Sequence, residues 1–322
     1  MHSRRDFGRL AAAAILSAPL IGTARAQAGT PNVVGGVRLG VCVGSYQDIP
    51  RGDDQSAYIE RLAQAVAASG AAPGGLLEYH NRQLEPSTRL YEQARRGQPA
   101  PPPLSDAEFR TLREDRRQWR INTPVSYFEG VRRSFERAGL ASFAYSFNFT
   151  PDMTDGEIDS VFAATRALGC PVISTNATPV EMGRRLAAFA ARYRIDLGFH
   201  NHSNYQDPNQ VASLESFATL LAISDRCKAN LDVGHFTASN LDAVAFIKEH
   251  HPKITHLHMK DRKRNKGPGT PWGQGDAPLK EVLLLLKAER YPIPALVEYE
   301  YPGSGSIEED RKCLDYMRAV LA

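Results

Sequence analysis

The chain has 322 residues, with 39 lysines and arginines against 36 aspartates and glutamates, and its formal net charge is +3. This length suits one large α/β domain or two small ones. A charge so close to neutral gives no bulk attraction to nucleic acid or to anionic lipid, and it argues against both as partners.

Residues 1–26 resemble a signal for export. A basic start with Arg4 and Arg5 precedes an apolar run and a small-residue cleavage pattern at residues 24–26. Such paired arginines occur in bacterial twin-arginine signals. The apolar run is too short and too interrupted to span a membrane. We therefore expect the mature chain, residues 27–322, to lie in the periplasm with a formal charge of zero.

Eight strand-like runs alternate with segments of helical apolar spacing from residue 38 to the end. The runs are RLGVCVGSY, GLLEYH, ASFAYSFNF, PVIST, IDLGFHNH, KANLDVGH, ITHLHMK and PALVEYEY. Such an unbroken alternation favours a closed parallel barrel over an open doubly wound sheet. The sequence therefore predicts an α/β fold, a single-domain (β/α)8 TIM barrel over residues 27–322.

Alternation along the third strand predicts which side chains face outward. Phe143, Tyr145, Phe147 and Phe149 alternate with small or polar residues, and we expect the bulky set to lie outside the barrel, under the helices. In the late strands the inward positions become polar towards the carboxyl end, where barrel enzymes place their active sites.

Residues 81–121 form an insertion between the second strand and its helix. Its Pro-rich core is expected to be an extended linker, followed by a charged helix capped by Ser105 or Asp106. A segment of this length is usually a lid, an oligomer contact or disordered, and the sequence does not choose among these. Whether the chain forms a homo-oligomer therefore stays an open question.

The four cysteines show no metal or redox spacing. They are scattered along the chain without a C-x-x-C pair, at Cys42, Cys170, Cys227 and Cys313. We expect all four to be free and buried.

The late strands carry metal-ligand residue types on their inward faces. In the stretch HNH, the two histidines share one side of a strand because positions i and i+2 point the same way. The whole inward set is His200, His202, Asp232, His256, His258, Glu298 and Glu300. Imidazole with carboxylate suits one Mn, Zn, Co or Fe ion better than Ca²⁺. A metal-free polar plug is the alternative, but four strands in register favour the metal.

The motifs HNH, LDVGH, HLHMKD, WGQGD and LVEYE, in this order, resemble the xylose-isomerase-like TIM barrel superfamily. That superfamily includes sugar phosphate isomerases and epimerases and the apurinic-site endonucleases. The resemblance covers residues 38–322. It implies one divalent metal held by Asp232, His258 and Glu298, with Glu300 as the alternative to Glu298.

Two further histidines acquire roles from the resemblance. His235, three residues after the metal aspartate, takes the place of a substrate ligand. His200 stands where the family usually has a metal-binding glutamate, and this is the clearest departure from the family pattern. We expect His200, rather than His202, to bind the ion.

The departure at His200 changes the expected chemistry. Two imidazoles and two carboxylates around a divalent ion give a net charge of zero instead of −1, and so a stronger Lewis acid. Two-base epimerisation loses one carboxylate, which favours chemistry with one strong base and a polarised carbonyl. His235, His202 or Glu298 is expected as the base, and Lys260 as the group that stabilises an oxyanion.

The remaining predicted site residues contact substrate. They are His256, Trp272, Glu78 and Glu300. The predicted function is a periplasmic, metal-dependent sugar isomerase or epimerase acting on a keto-sugar. A 3-keto-glycoside lyase or hydrolase and a non-catalytic, metal-assisted sugar-binding protein are the alternatives. A DNA-repair endonuclease is disfavoured because its further metals would need a histidine on the third strand, which has none.

Overall fold

A computed structural model describes residues 32–86, 102–176, 179–204, 207 and 210–322, so the predicted export signal and residues 87–101 of the insertion lie outside the described residues. The strands are β1 (Val33–Val34), β2 (Val37–Cys42), β3 (Leu76–His80), β4 (Ala141–Ser146), β5 (Val172–Thr175), β6 (Asp196–His200), β7 (Cys227–Asp232), β8 (Ile254–Met259) and β9 (Ala295–Val297). Strands β2 to β9 are parallel neighbours in chain order, and β2 also pairs with β9. This closure confirms the predicted (β/α)8 barrel.

Helices surround the barrel. They are α1 (Gln55–Val66), α2 (Asn81–Leu84), α3 (Asp106–Asn122), α4 (Val125–Arg137), α5 (Asp155–Ala167), α6 (Val180–Tyr193), α7 (Leu214–Leu221), α8 (Val233–Ala238), α9 (Ala243–His250), α10 (Leu279–Glu289) and α11 (Ser306–Leu321). Side-chain caps begin several of them: Asp54 accepts hydrogen bonds at the start of α1, and Thr154 does so at the start of α5. Within the described ranges, no helix is both long and apolar enough to cross a bilayer.

The predicted outward direction of Phe143 in β4 is wrong. The pairing of β3 with β4 shifts by one residue between Leu77 and Glu78, so Phe143 is the extra residue of a β-bulge and turns inward. Its ring meets that of His256 edge to face inside the barrel, with centroids 5.4 Å apart. Tyr145 joins the core under the helices, as predicted.

The barrel interior is apolar at one end and polar at the other. A small apolar cluster lies inside the barrel, formed by Cys42, Leu76, Phe143, Ala144, Val172 and Leu296. Polar residues replace apolar ones towards the carboxyl ends of the strands, where the predicted site residues lie. The four cysteines, all within the described residues, are free and buried, as predicted.

Helix α3, within the predicted insertion, is fixed to the barrel by buried ion pairs. It begins at Ser105, whose hydroxyl and the Glu108 carboxylate form a capping box. Near its end, Arg120 lies 2.9 Å from Glu85 and 2.8 Å from Glu157. The helix therefore packs against the loop after β3 and against α5.

Candidate metal centre and active site

Four side chains meet at the carboxyl ends of neighbouring strands: His200 ends β6, Asp232 ends β7, His258 lies in β8 and Glu298 follows β9. We call these four residues the ligand group. One nitrogen or oxygen from each can be chosen so that all lie within 4.8 Å of one another. Ligands bonded to one ion at about 2.0–2.2 Å stand at most about 4.4 Å apart, so the group suits a single ion after little movement.

Asp232 supplies an independent sign that a cation fits here. Its Oδ2 is buried and finds no hydrogen-bond partner among the described residues, although Lys260 Nζ lies 3.1 Å away. Burial raises the pKa of Asp232, while the Lys260 ammonium opposes that rise. A buried carboxylate oxygen that already faces a cation, next to two imidazoles, belongs to a donor set that suits a borderline divalent ion, so the residues present fit the expected metal.

Glu78 and His256 lie beneath the ligand group, not at the open mouth, and their predicted contact with substrate is corrected. Glu78 is 3% exposed and His256 is fully buried. The Glu78 carboxylate lies 2.7 Å from His256 Nε2 and 3.1 Å from His258 Nε2. Both side chains therefore support His258 from below.

His200 is a neutral imidazole inside the barrel. Burial, with the nearby charge of His258, lowers the pKa of His200 well below its usual value. The Asn230 amide nitrogen lies 3.4 Å from His200 Nδ1 and 3.1 Å from His258 Nε2. Sequence reasoning missed Asn230, although its position two residues before Asp232 on the inward face of β7 would have indicated it.

Lys260 lies among carboxylates. Its Nζ is 2.7 Å from Glu300, 2.9 Å from Glu298 and 3.1 Å from Asp232. Burial disfavours its charge, but these carboxylates raise its pKa well above the usual value, so it remains an ammonium. The structure therefore directs Lys260 to protein carboxylates, two of them in the ligand group. Glu300 is exposed at the mouth.

Two more imidazoles stand above the ligand group. Strand β6 ends at His200, so His202 belongs to the following loop, yet the two rings are 5.0 Å apart. His235 lies in α8, 4.9 Å from His202 between ring centroids. A Cβ at Gly234 would meet the Lys260 carbonyl oxygen at 2.6 Å, so a glycine lets α8 pass close to the end of β8 and brings His235 inward.

The two ring nitrogens of His202 face the side-chain amides of two different loops. Its Nδ1 lies 2.8 Å from the amide oxygen of Gln210, and its Nε2 lies 3.3 Å from the amide nitrogen of Asn176. This arrangement places the ring proton on Nδ1 and the lone pair on Nε2. Burial lowers the pKa of His202, which keeps the ring neutral. Gln210 and Asn176 were not predicted, because they come from loops whose approach no pattern in the sequence reveals.

Trp272 packs against α11. It packs edge to face on Tyr316 of α11, with ring centroids 5.6 Å apart, and it lines a separate cavity of about 340 Å³. Its loop is shaped by Asp261, whose carboxylate accepts hydrogen bonds from the backbone of Gly273, Gly275 and Ala277. Contact between Trp272 and a sugar stays a prediction.

The fold and the site define a class: closed parallel barrels with a candidate metal centre of histidine and carboxylate at the carboxyl rim. The chain belongs to the xylose isomerase-like TIM barrel family, whose sequence model matches residues 158–318, half of the chain. The matched part contains every member of the ligand group. Members and neighbours of this family are mostly enzymes.

Individual relatives are more distant. An inosose dehydratase from Lactiplantibacillus plantarum is 25% identical in an alignment 203 residues long, which covers 57% of this chain and 59% of that protein, less than two thirds of its length. The structure is similar to that of the probable 3-DHS dehydratase from Bacillus anthracis, with a TM-score of 0.56 and 15% identity over 86% of this chain and 98% of the other. It is also similar to 3-keto-D-glucoside 4-epimerase from E. coli, with a TM-score of 0.58 and 13% identity over 87% and 98%. At such identities these two structures show the fold alone.

Proposed function

We propose that the protein is a metal-dependent lyase that acts on a keto-sugar or keto-polyol. It would remove the proton next to the carbonyl and expel an oxygen substituent from the β carbon. The observation that carries the proposal is the joining, at one barrel rim, of the ligand group with two further imidazoles, His202 and His235. The name of one relative, the inosose dehydratase, agrees with this reaction class.

The ligand group has the donor set for the Lewis acid of this reaction. A divalent ion bound there would polarise the carbonyl oxygen of the substrate and acidify the neighbouring C–H. His200 is buried and neutral, so we propose it as a ligand and not as a base. Since its position carries a glutamate in the family pattern, the carboxylate base of two-base epimerisation is missing there.

Of the three predicted bases, we propose His202. Glu298 Oε2 already lies 2.9 Å from His258 Nδ1 and 2.9 Å from Lys260 Nζ. His235 Nδ1 lies 2.7 Å from the Arg262 guanidinium. Among the described residues, His202 Nε2 accepts one hydrogen bond, a long one of 3.3 Å from the Asn176 amide, so it is the least engaged of the three candidate atoms. Geometry therefore favours His202 as the group that takes the carbon proton.

The proposed reaction balances without a redox partner. The electron pair of the C–H bond forms a C=C bond conjugated with the carbonyl, and the C–O bond to the leaving group breaks. The leaving oxygen finally takes the proton that His202 removed. The products are an enone and water or an alcohol. We propose that Lys260 holds Asp232, Glu298 and Glu300 in place, in contrast to its expected contact with a substrate oxyanion.

A substrate panel in deuterated water tests this function. Ketoses, 3-keto-glycosides and the matching unoxidised glycosides are incubated with the metal-loaded protein and followed by NMR. We expect an alcohol to be released from 3-keto-glycosides, no release from unoxidised ones, and none with Asp232→Asn. If the sugar is isomerised or epimerised and no alcohol is released, the protein is an isomerase or epimerase and the lyase proposal is wrong. Sugar affinity without proton exchange would indicate a binding protein.

We also propose export to the periplasm by the twin-arginine route. The support is the Arg4–Arg5 pair followed by an apolar run. Cell fractionation of the wild type and of the Arg4→Lys/Arg5→Lys double variant provides the test. We expect the wild-type protein in the periplasmic fraction and the variant in the cytoplasmic fraction. The same distribution of both proteins between the fractions would contradict the proposal.

A further inference from the structure

A guanidinium group covers the inner nitrogen of His235. Arg262 Nη1 lies 2.7 Å from His235 Nδ1, and Ser203 Oγ lies 3.3 Å from the same atom. A guanidinium offers only donors, so His235 Nδ1 must accept this hydrogen bond. The imidazole is therefore neutral, and its single ring proton is on Nε2.

The glycine-rich loop after β8 holds Arg262 in this place. Its Nε and Nη2 both donate to the Gly267 carbonyl, at 3.1 and 2.8 Å. A Cβ at Gly267 would come within 2.4 Å of the Lys263 Cβ, so this tight turn requires a glycine. The loop thus fixes the guanidinium with two hydrogen bonds and leaves Nη1 for His235.

The protonated side of the His235 ring faces the mouth. Its Nε2 lies 4.0 Å from the carboxylate of Glu300, which is exposed there, and the side chain of His235 is 11% exposed. The ring of the proposed base, His202, is 4.9 Å away between centroids. A substrate held between these two imidazoles would meet a lone pair from one and an N–H from the other.

We propose that Arg262 is a positioning residue that fixes His235 as a neutral hydrogen-bond donor, and that His235 donates its Nε2–H to the departing oxygen of the substrate. The role replaces the predicted one of His235 as a base. The identity of the acceptor oxygen rests on the proposed function, whereas the tautomer does not. The hydrogen bond stabilises negative charge as the C–O bond breaks, and the oxygen then receives its proton from His202.

The tautomer is tested first, without any substrate. ¹⁵N-histidine-labelled protein is compared by NMR with Arg262→Met, with Arg262→Lys, which keeps a donor, and with Arg264→Met, an exposed neighbour in the same loop; His235→Ala assigns the resonance. We expect the Nε2–H form in the wild type, Arg262→Lys and Arg264→Met, and a mixture of tautomers in Arg262→Met. An Nδ1–H form in the wild type, or an unchanged tautomer in folded Arg262→Met, would overturn the proposal.

The second half of the proposal, donation from His235 to the departing oxygen, is tested by how the rate depends on the leaving group. Release from methyl and 4-nitrophenyl 3-keto-β-D-glucosides is measured for the same variants. For Arg262→Met we expect kcat to fall about tenfold or more with the methyl glycoside, much less with nitrophenol as leaving group, and KM to change little. An equal loss for both substrates would contradict donation to the departing oxygen. Should neither substrate release an alcohol in the wild type, the proposed function fails, and the NMR result still decides the tautomer.

Discussion

Glu78 Oε1 lies 3.1 Å from His258 Nε2 inside the barrel, one layer below the ligand group. The other ring nitrogen, Nδ1, lies 2.9 Å from Glu298. The Glu78 carboxylate beneath the imidazole therefore binds Nε2 and leaves Nδ1, on the Glu298 side, for the candidate metal. Burial opposes the charged form of His258, but the adjacent Cys42 sulfur and the carboxylates of Glu78 and Glu298 raise its pKa well above the usual value. An ion that takes Nδ1 would replace a proton there.

Removing the charge of Glu78 is expected to weaken metal binding. Glu78→Gln keeps the shape but loses the anion that orients His258, and loss of such a partner typically lowers metal affinity about 10–100-fold. Isothermal titration of metal-free protein with Mn²⁺ or Co²⁺ measures the change, with the exposed Glu60→Gln as the control. Unchanged affinity in a folded Glu78→Gln protein would show that His258 needs no such partner.

Lys260→Met is expected to change stability and metal affinity in opposite directions. Without the ammonium, the carboxylates of Asp232 and Glu298 lose their internal counter-charge, so the metal-free protein should lose about 3 kcal/mol of unfolding free energy. Divalent-ion affinity should rise, because the ion no longer competes with a fixed cation for the same oxygens.

Urea unfolding in chelator and isothermal titration measure the two effects of Lys260→Met. Lys263→Met, at an exposed ion pair with Asp276, provides the matched control. A fall in both stability and metal affinity would mean that Lys260 assists the ion by ordering its ligands.

Acid should weaken the attachment of α3 through Glu157. Burial alone would raise the pKa of Glu157, but hydrogen bonds from Arg113 and Arg120 outweigh it and lower the pKa. A carboxylate whose pKa is lower in the folded state adds stability above its unfolded pKa, about 4.3, and that stability is lost as the pH falls through the folded pKa.

Glu157→Gln tests this pH dependence. At pH 7 we expect the free energy of unfolding to fall by about 3 kcal/mol, since Arg113, Arg117 and the buried Arg120 lose a shared counter-ion. Below about pH 5 the difference in unfolding free energy between the wild type and Glu157→Gln should become smaller. Denaturant unfolding from pH 3 to pH 7 measures it, with the exposed Glu181→Gln as the control. A difference that does not depend on pH would assign the loss to packing.

The barrel could be predicted because its signal repeats eight times along the chain. Each strand carries its own apolar run and each is followed by a helical segment, so an error in one element leaves the architecture unchanged. The inward direction of Phe143 could not be predicted in this way, because a bulge shifts the alternation by one residue and depends on how β3 pairs with β4.

The candidate ligand group could be anticipated because it lies at the ends of consecutive strands, where neighbours in the barrel are neighbours in sequence order. The residues that orient each imidazole and fix its ring proton could not be anticipated. Glu78 reaches His258 across the barrel, 180 residues away in sequence, and Arg262 reaches His235 from a loop. Such contacts depend on three-dimensional closure, and the residue types alone left Glu78 as a substrate contact and His235 as a base.

The position of a bound divalent ion decides most directly whether the ligand group is the metal centre. Crystals prepared with Mn²⁺ or Zn²⁺ would be measured at the absorption edge of the metal. The predicted result is one anomalous peak per chain, about 2.0–2.3 Å from a nitrogen or oxygen of each residue of the ligand group. Two other clusters could compete, because the ligand atoms within each also lie within 4.8 Å of one another: His200 with His202 and His235, and Cys42 with Glu78 and His258. A peak in either of these clusters with Asp232 and Glu298 unbound, or no peak at all, would contradict the account.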